Sequence, residues 1–428
     1  MNKSKVFSKH ASIEGTTESP VFDKGSGEWS KDINQGWNLL NEEVSFPVAV
    51  LNEKALQQNA QWMQKFSEDA QVLLAPHGKT AMAPALFKLQ LEQGCWGISL
   101  ATVPQVINAY NGGVKRIILA NQLVGKYHFK LIADLLMQSD FTFYCFVDSI
   151  ENAKQLDQYF SLRNVSLNIL IELGVEEGRC GWRDLDNTTE LIDVITQSKS
   201  LKLCGLSFYE GVIHGEKAND KICQFIDKVK SLANKLATLD AFEGNNVIIS
   251  GAGSAWYDVV AKQLIQESEI NKLNYQVVIR PGCYLIHDTG IYETAQSKVL
   301  ERSQLACDVA GDLISSLEVW AYVHSVPEPG LAIIGLGKRD VAFDAGLPIP
   351  EYVYRPGDKF PIKANKNWRV KAIMDQHCMM EIDNSSSLKP GDLIIFSTSH
   401  PCLTIDKWRQ LGIVNSNYII DKTIATCF

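Results

Sequence analysis

Three short segments carry side chains that could do chemistry. Pro76-His77-Gly78-Lys79-Thr80 closes the apolar run Leu73-Leu74-Ala75. A lysine at a strand end, among apolar walls that disfavour its charge, can become the neutral amine that forms a Schiff base with a carbonyl. A surface lysine at a strand–helix turn accounts for the position equally well. Gly251-Ala252-Gly253-Ser254 follows the apolar run at 247–250. Its small residues let backbone amides approach an anion. Arg280-Pro281-Gly282-Cys283-Tyr284 ends the next run, and the Tyr284 hydroxyl could add to such a cradle. A lysine early in the chain and a phosphate cradle late in it together suggest pyridoxal phosphate, anchored at both ends. The third segment is Ser399-His400-Pro401-Cys402. On an extended chain, residues i and i+2 face the same side, and imidazole and thiolate both ligate zinc. A hydrogen-bonded histidine beside a buried thiol explains that pair as well. His377 and Cys378 are adjacent, so on a strand they face opposite sides and cannot readily chelate together.

The elements that must position these residues alternate regularly. Apolar, β-branched runs at 71–75, 96–100, 116–122, 142–148, 168–174, 203–209, 247–250 and 276–280 are each followed by a segment of helical period. Ile222, Phe225, Ile226, Val229, Leu232, Ala233 and Leu236 stripe one helix face, as do Phe129, Ile132, Leu135 and Leu136. Near-continuous apolar strands separated by single amphipathic helices predict a parallel sheet covered on the outside. The economical arrangement is a closed (β/α)8 barrel over 48–304, with its site at the C-terminal ends of the strands; an open doubly wound sheet is the rival. Residues 1–47 read as a polar arm expected to pack on the C-terminal domain. From 305 to 428 the pattern changes to short strands with Pro/Gly turns, among them 317–325, 340–343, 393–396 and 418–420. That is an all-β domain carrying the His400/Cys402 pair.

Composition removes several classes. With 49 acidic against 41 basic residues among 428, the formal charge is −8 and the pI about 5.6, which does not suit a phosphate-neutralising nucleic-acid surface. No apolar stretch approaches the ~18 residues a membrane span needs. Residues 1–18 lack the apolar core of a signal peptide, so a cytoplasmic enzyme is expected. The ten cysteines include no C-x-x-C pair. Most sit in apolar runs and read as buried free thiols.

Taken together and in order, Pro-His-Gly-Lys-Thr at 76–80, the strand end at Tyr209, Gly-Ala-Gly-Ser at 251–254, Arg-Pro-Gly-Cys-Tyr at 280–284 and Ser-His-Pro-Cys at 399–402 resemble a known family. It is the D-serine dehydratase and D-threonine aldolase group of fold-type III, alanine racemase-like pyridoxal phosphate enzymes, in its bacterial amino acid deaminase branch. The resemblance implies that Lys79 is the Schiff-base lysine, that Tyr209 and Arg179 lie near the cofactor, and that Gly253 and Ser254 hold its phosphate. It also implies that His400 and Cys402 bind a metal, zinc in the dehydratases, and that the protein is a homodimer with its site near the interface. The implied reaction converts D-serine, or a related D-β-hydroxy amino acid, to a keto acid and ammonia. Retro-aldol cleavage of D-threonine-like substrates is the alternative, and a non-catalytic pyridoxal carrier is a third reading. Cys402 favours the dehydratase, because a thiolate suits zinc better than harder metals. Two departures from the family pattern stand out. Thr80-Ala81 replaces Thr-His, and the stretch 335–346 carries a basic pair, Lys338 and Arg339, that could bind a substrate carboxylate or form a solvated turn.

Overall fold

The computed structural model describes residues 23–27, 36–185, 187–244, 246–265 and 275–428. The polar leader at 1–18 lies outside the described residues. Eight parallel strands form one sheet: Leu73–Leu74, Ile98–Leu100, Arg116–Gln122, Thr142–Val147, Leu167–Leu173, Leu201–Phe208, Val247–Gly251 and Tyr275–Ile279. They are referred to below as strands one to eight. All fall on the eight runs expected from the sequence. Strand eight pairs with strand one, Val278 opposite Leu73. On the far side of strand one, Trp96 donates its amide to the Leu74 carbonyl (2.8 Å) and Ser99 to that of Pro76 (2.9 Å), which joins it to strand two and closes the barrel.

The helices cover the barrel as their periodicity requires. In the helix Ala218–Thr238, all seven residues of the predicted stripe are buried. Inside the barrel, Ala75, Ile118, Phe146, Leu170, Ile248 and Val278 form a separate apolar plug. Buried on both faces, the strands have no polar side to alternate with, which is why they read as continuous apolar runs.

The β domain is built around a second sheet, and here the sequence-based boundary shifts. Val48–Asn52, read from the sequence as the start of the barrel, is instead a strand of the β domain. It lies antiparallel to Leu317–Glu328 and parallel to Gln410–Val414. A five-residue apolar run carries no signal for which sheet will take it. The predicted strand at 340–343 is a turn, and Ile349–Tyr354, unpredicted, pairs with Leu393–Ser397. The described part of the arm contacts this domain. Trp37–Asn38 pairs with its last strand, Ile419–Ala425, and Lys24 forms an ion pair with Asp340 (2.8 Å) while lying over the Trp408 ring.

The helix Glu53–Asp69 leads from the β-domain sheet into the barrel, and one buried amide fixes it there. Asn59 Nδ2 donates to the carbonyls of Leu285 (3.0 Å) and Ile314 (2.7 Å), and its Oδ1 accepts from the Ile314 amide (2.9 Å). These bonds tie the helix to the turn after strand eight and to the segment returning to the β domain. Asn59→Ala should therefore lose about 2–4 kcal/mol, three hydrogen bonds plus buried groups left unpaired. A urea denaturation series would show the midpoint falling at unchanged slope.

Candidate active site

The barrel mouth is polar because the plug stops one pleat short of it. Side chains along a strand alternate in direction, so the residue two beyond each plug residue faces the same axis. Phe146 is thus followed inward by Asp148, Leu170 by Glu172, Ile248 by Ser250, Val278 by Arg280 and Ala75 by His77. Arg280 is the centre of this layer. It is 5% exposed, and its guanidinium donates to Ser250 Oγ (2.6 Å), Ser207 Oγ (3.1 Å) and the Phe208 carbonyl (2.9 Å). Glu172 accepts from Gln122 Nε2 (2.6 Å). Burial raises its pKa, against the opposing influence of the Gln122 hydrogen bond and the charge of Arg280.

Above the layer lies a cavity of about 250 Å³, to whose wall all eight strands or the loops after them contribute. Lys79 stands at its rim on the single 3₁₀ turn Gly78–Thr80, exposed to solvent rather than sunk among the apolar walls expected from the sequence. Among the described residues, no hydrogen bond or ion pair engages its amine. His77 lies beneath. Burial, and then the charges of Lys79, Arg280 and Arg179, hold its imidazole pKa well below the usual value, and its Nδ1 is buried without a partner. Arg179 stacks its guanidinium 4.2 Å from the centre of the Tyr209 ring, and both line the cavity.

The anion cradle differs in detail from the sequence reading. The amides of Ala252 and Gly253 are taken by the buried carboxylate of Glu210, at 3.0 and 2.8 Å. A Cβ on Gly253 would meet the Tyr209 ring at 2.9 Å, so this glycine makes room for the tyrosine. The more weakly engaged amides are those of Gly282 and Cys283, two residues that line the cavity. In the structure they donate to Ser254 Oγ over long bonds of 3.3 Å. Tyr284 does not take part. Its hydroxyl points away from the cavity, accepts from Gln90 Nε2 at 3.1 Å and is buried behind the barrel wall. The residue after Cys283 falls on the opposite face, which the one-residue offset determines. A cation-rich pocket with a free lysine, a hydroxyl and two weakly engaged amides fits pyridoxal phosphate.

The third feature lies where the β domain meets the barrel. His400 and Cys402 converge, though not on an extended segment: Pro401 is in the helical region and Cys402 begins the short helix Cys402–Ile405. His400 Nδ1 bonds Asp344 Oδ2 at 2.7 Å, which leaves Nε2 to face a ligand, the usual orientation of a metal-binding imidazole. Cys402 is held down to a pKa of about 5, first by its hydrogen bond with Cys283 and also by that with His400. The His400 imidazole is raised to about 9, chiefly by its hydrogen bond with Cys402 and helped by Asp344. An imidazole oriented by a carboxylate and a stabilised thiolate suit zinc in donor chemistry. The rival pair separates as expected, His377 exposed on a turn and Cys378 buried in the strand Cys378–Glu381. Arg339 pairs with Asp375 at 3.4 Å, both exposed, and Lys338 lies over Phe343; neither lines the cavity.

Sequence reasoning passed over Arg280, Glu172, Glu210 and Asp344. The first two were within reach, since each sits two residues past a plug residue. Asp344, 56 positions from its histidine, carries no local signal.

Comparison with known proteins agrees with this architecture. Residues 51–261 match the family model "Alanine racemase, N-terminal domain", and residues 316–414 match "Putative serine dehydratase domain". A D-threonine aldolase from Arthrobacter sp. is 23% identical over 382 residues, covering 88% of this chain and 91% of the aldolase. Among solved structures, D-threonine aldolase from Filomicrobium marinum superposes with a TM-score of 0.74 at 20% identity, covering 92% of this chain and 97% of that one. D-threo-3-hydroxyaspartate dehydratase from Delftia sp. HT23 gives 0.69 at 16% identity, covering 91% and 99%. With one family match on the barrel, the other on the β domain and the fold shared throughout, the chain belongs to the D-serine dehydratase and D-threonine aldolase group of fold-type III, alanine racemase-like pyridoxal phosphate enzymes.

Proposed function

We propose that this protein is a pyridoxal phosphate- and zinc-dependent lyase that dehydrates D-serine, or a related D-β-hydroxy amino acid, to a keto acid and ammonia. One observation carries the proposal: a free lysine and an anion cradle line one cavity, and an oriented His–Cys pair lies directly beside it, the Cys402 sulfur 3.4 Å from the cavity-lining Thr80 and Cys283. Relatives named for D-β-hydroxy amino acid substrates, an aldolase and a dehydratase among them, support the substrate class.

Each residue has a distinct task in this reading. Lys79 Nζ would hold the cofactor through its aldehyde carbon and, once released by substrate, accept the Cα proton at the cavity rim. Ser254 and the amides of Gly282 and Cys283 would bind the phosphate. Tyr209, braced by Arg179, would pack against the ring. His400 Nε2 and Cys402 Sγ would hold zinc, with Asp344 fixing the imidazole. When bound, the cofactor supplies an electron sink for charge at Cα and the metal a Lewis acid for the β-oxygen, since hydroxide is otherwise a poor leaving group. Retro-aldol cleavage is the second reading, favoured by the similarity to D-threonine aldolase over most of the chain.

Product analysis separates the two. D-serine should yield pyruvate and ammonia in a chelator-sensitive reaction; glycine and an aldehyde from D-threonine, with no pyruvate from D-serine, would decide for the aldolase. Lys79→Ala should abolish borohydride trapping of the cofactor and lower turnover at least ~10³-fold, and a trapped adduct at another lysine would refute the role of Lys79. A homodimer is also proposed. Ile291, Phe343 and Leu403 are large apolar side chains left exposed, each next in sequence to a residue of the cavity wall or the His–Cys corner (Tyr292, Asp344 and Cys402), as a surface covered by a second copy would be. Light scattering should give twice the 47.7 kDa chain mass; a monomer would overturn the homodimer.

A further inference from the structure

Two thiols meet where the two domains meet. Cys283, on the turn after strand eight, belongs to the barrel, and Cys402, first residue of the helix Cys402–Ile405, to the β domain. Their sulfurs lie 3.4 Å apart although 119 positions separate them in the chain. Thr80 Oγ1 is 3.4 Å from each, so a hydroxyl stands beside both sulfurs. All ten cysteines are free, and a buried one ordinarily behaves as a small apolar side chain, as Cys145 does in the core beside strand four. This pair is placed differently. Cys283, only 5% exposed, lines the cavity of about 250 Å³, whose rim is open to solvent at Lys79.

The spacing suits a bond between the sulfurs. A disulfide holds them ~2.05 Å apart, so the pair must close by roughly 1.4 Å from the separation present. Side-chain rotation at the end of a four-residue helix and a slight settling of the domains can share that movement. We propose that hydrogen peroxide entering the cavity drives a reversible disulfide between Cys283 and Cys402, which staples the β domain to the barrel and withdraws Cys402 from the metal. The Cys402 sulfur attacks one peroxide oxygen, the O–O bond breaks, water leaves and a sulfenic acid remains. The Cys283 sulfur then attacks that of Cys402, the S–O bond breaks and a second water leaves. Two thiols thus give up two electrons and two protons, and one peroxide becomes two waters. In reducing compartments, disulfides are of this transient, redox-sensing kind. The effect on the metal rests on the zinc reading above; the disulfide itself does not.

The test uses full-length protein carrying pyridoxal phosphate, stripped of metal with a chelator, treated with hydrogen peroxide, alkylated and digested. Mass spectrometry should find a peptide joining Cys283 to Cys402, and dithiothreitol should remove it. The oxidised protein should lose its zinc uptake, measured by elemental analysis, and regain it on reduction. Zinc loaded beforehand should suppress the linkage. Cys283→Ser should form no such peptide and should instead accumulate oxygen on Cys402 that dithiothreitol cannot remove. Metal-free wild type in which peroxide yields no Cys283–Cys402 peptide overturns the disulfide and leaves the zinc reading standing. A linkage that forms as fast with zinc as without it supports the disulfide and overturns Cys402 as a zinc ligand. If the serine variant does not fold, the peptide map of the wild type alone decides.

Discussion

A guanidinium closed inside the barrel sets the terms for the structure around it. Arg280 keeps its proton at any ordinary pH, so the energy of desolvating it must be offset within a few ångströms. Two serine hydroxyls and a carbonyl take its hydrogen bonds, and the charges of Glu172 and Glu210 act against the effect of its burial. The carboxylates are under the opposite strain, since burial raises the pKa of each. Glu210 is then held by the amides of Ala252 and Gly253, which fixes the loop after strand seven. Removing one member of such a set leaves an uncompensated buried charge, at a cost of roughly 3–5 kcal/mol. The cavity floor is therefore rigid for electrostatic reasons.

The corner holding His400 and Cys402 is organised differently. Its groups come from both domains: Thr80 and Cys283 from the barrel, Asp344, His400 and Cys402 from the β domain. Its chemistry depends on how the two units dock, and the Asn59 bonds between helix and return segment act on that docking. The floor belongs to one domain, whereas this corner is a property of the interface.

The barrel was legible in the sequence because all eight of its strands are buried on both faces and its helices on one, so hydrophobic period alone reports their positions. The same logic fails for Val48–Asn52, whose apolar run fits either sheet, and for the turn at 340–343, where Val341 and Ala342 are buried without strand pairing. Lys79, Arg179, Tyr209 and Ser254 line the cavity. Tyr284, one residue past Cys283, illustrates the sensitivity of side-chain direction to register: a motif can be read correctly as a strand end and still assign the wrong face. Glu210 was hidden for another reason, because a buried acid beside a glycine loop looks in sequence like a solvated one.

The placement of Val48–Asn52 has a consequence during synthesis. This strand is made before the barrel, yet its neighbours Leu317–Glu328 and Gln410–Val414 follow the entire barrel. At ~5–20 residues per second, the 264 residues between Asn52 and Leu317 take roughly 13–53 s to translate. Throughout that interval an apolar strand has both edges unpaired while the barrel can already close behind it. The β domain is thus discontinuous in the chain, begun before the barrel and finished after it, and a nascent chain stalled between the two presents a sticky strand to any chaperone or neighbouring polypeptide.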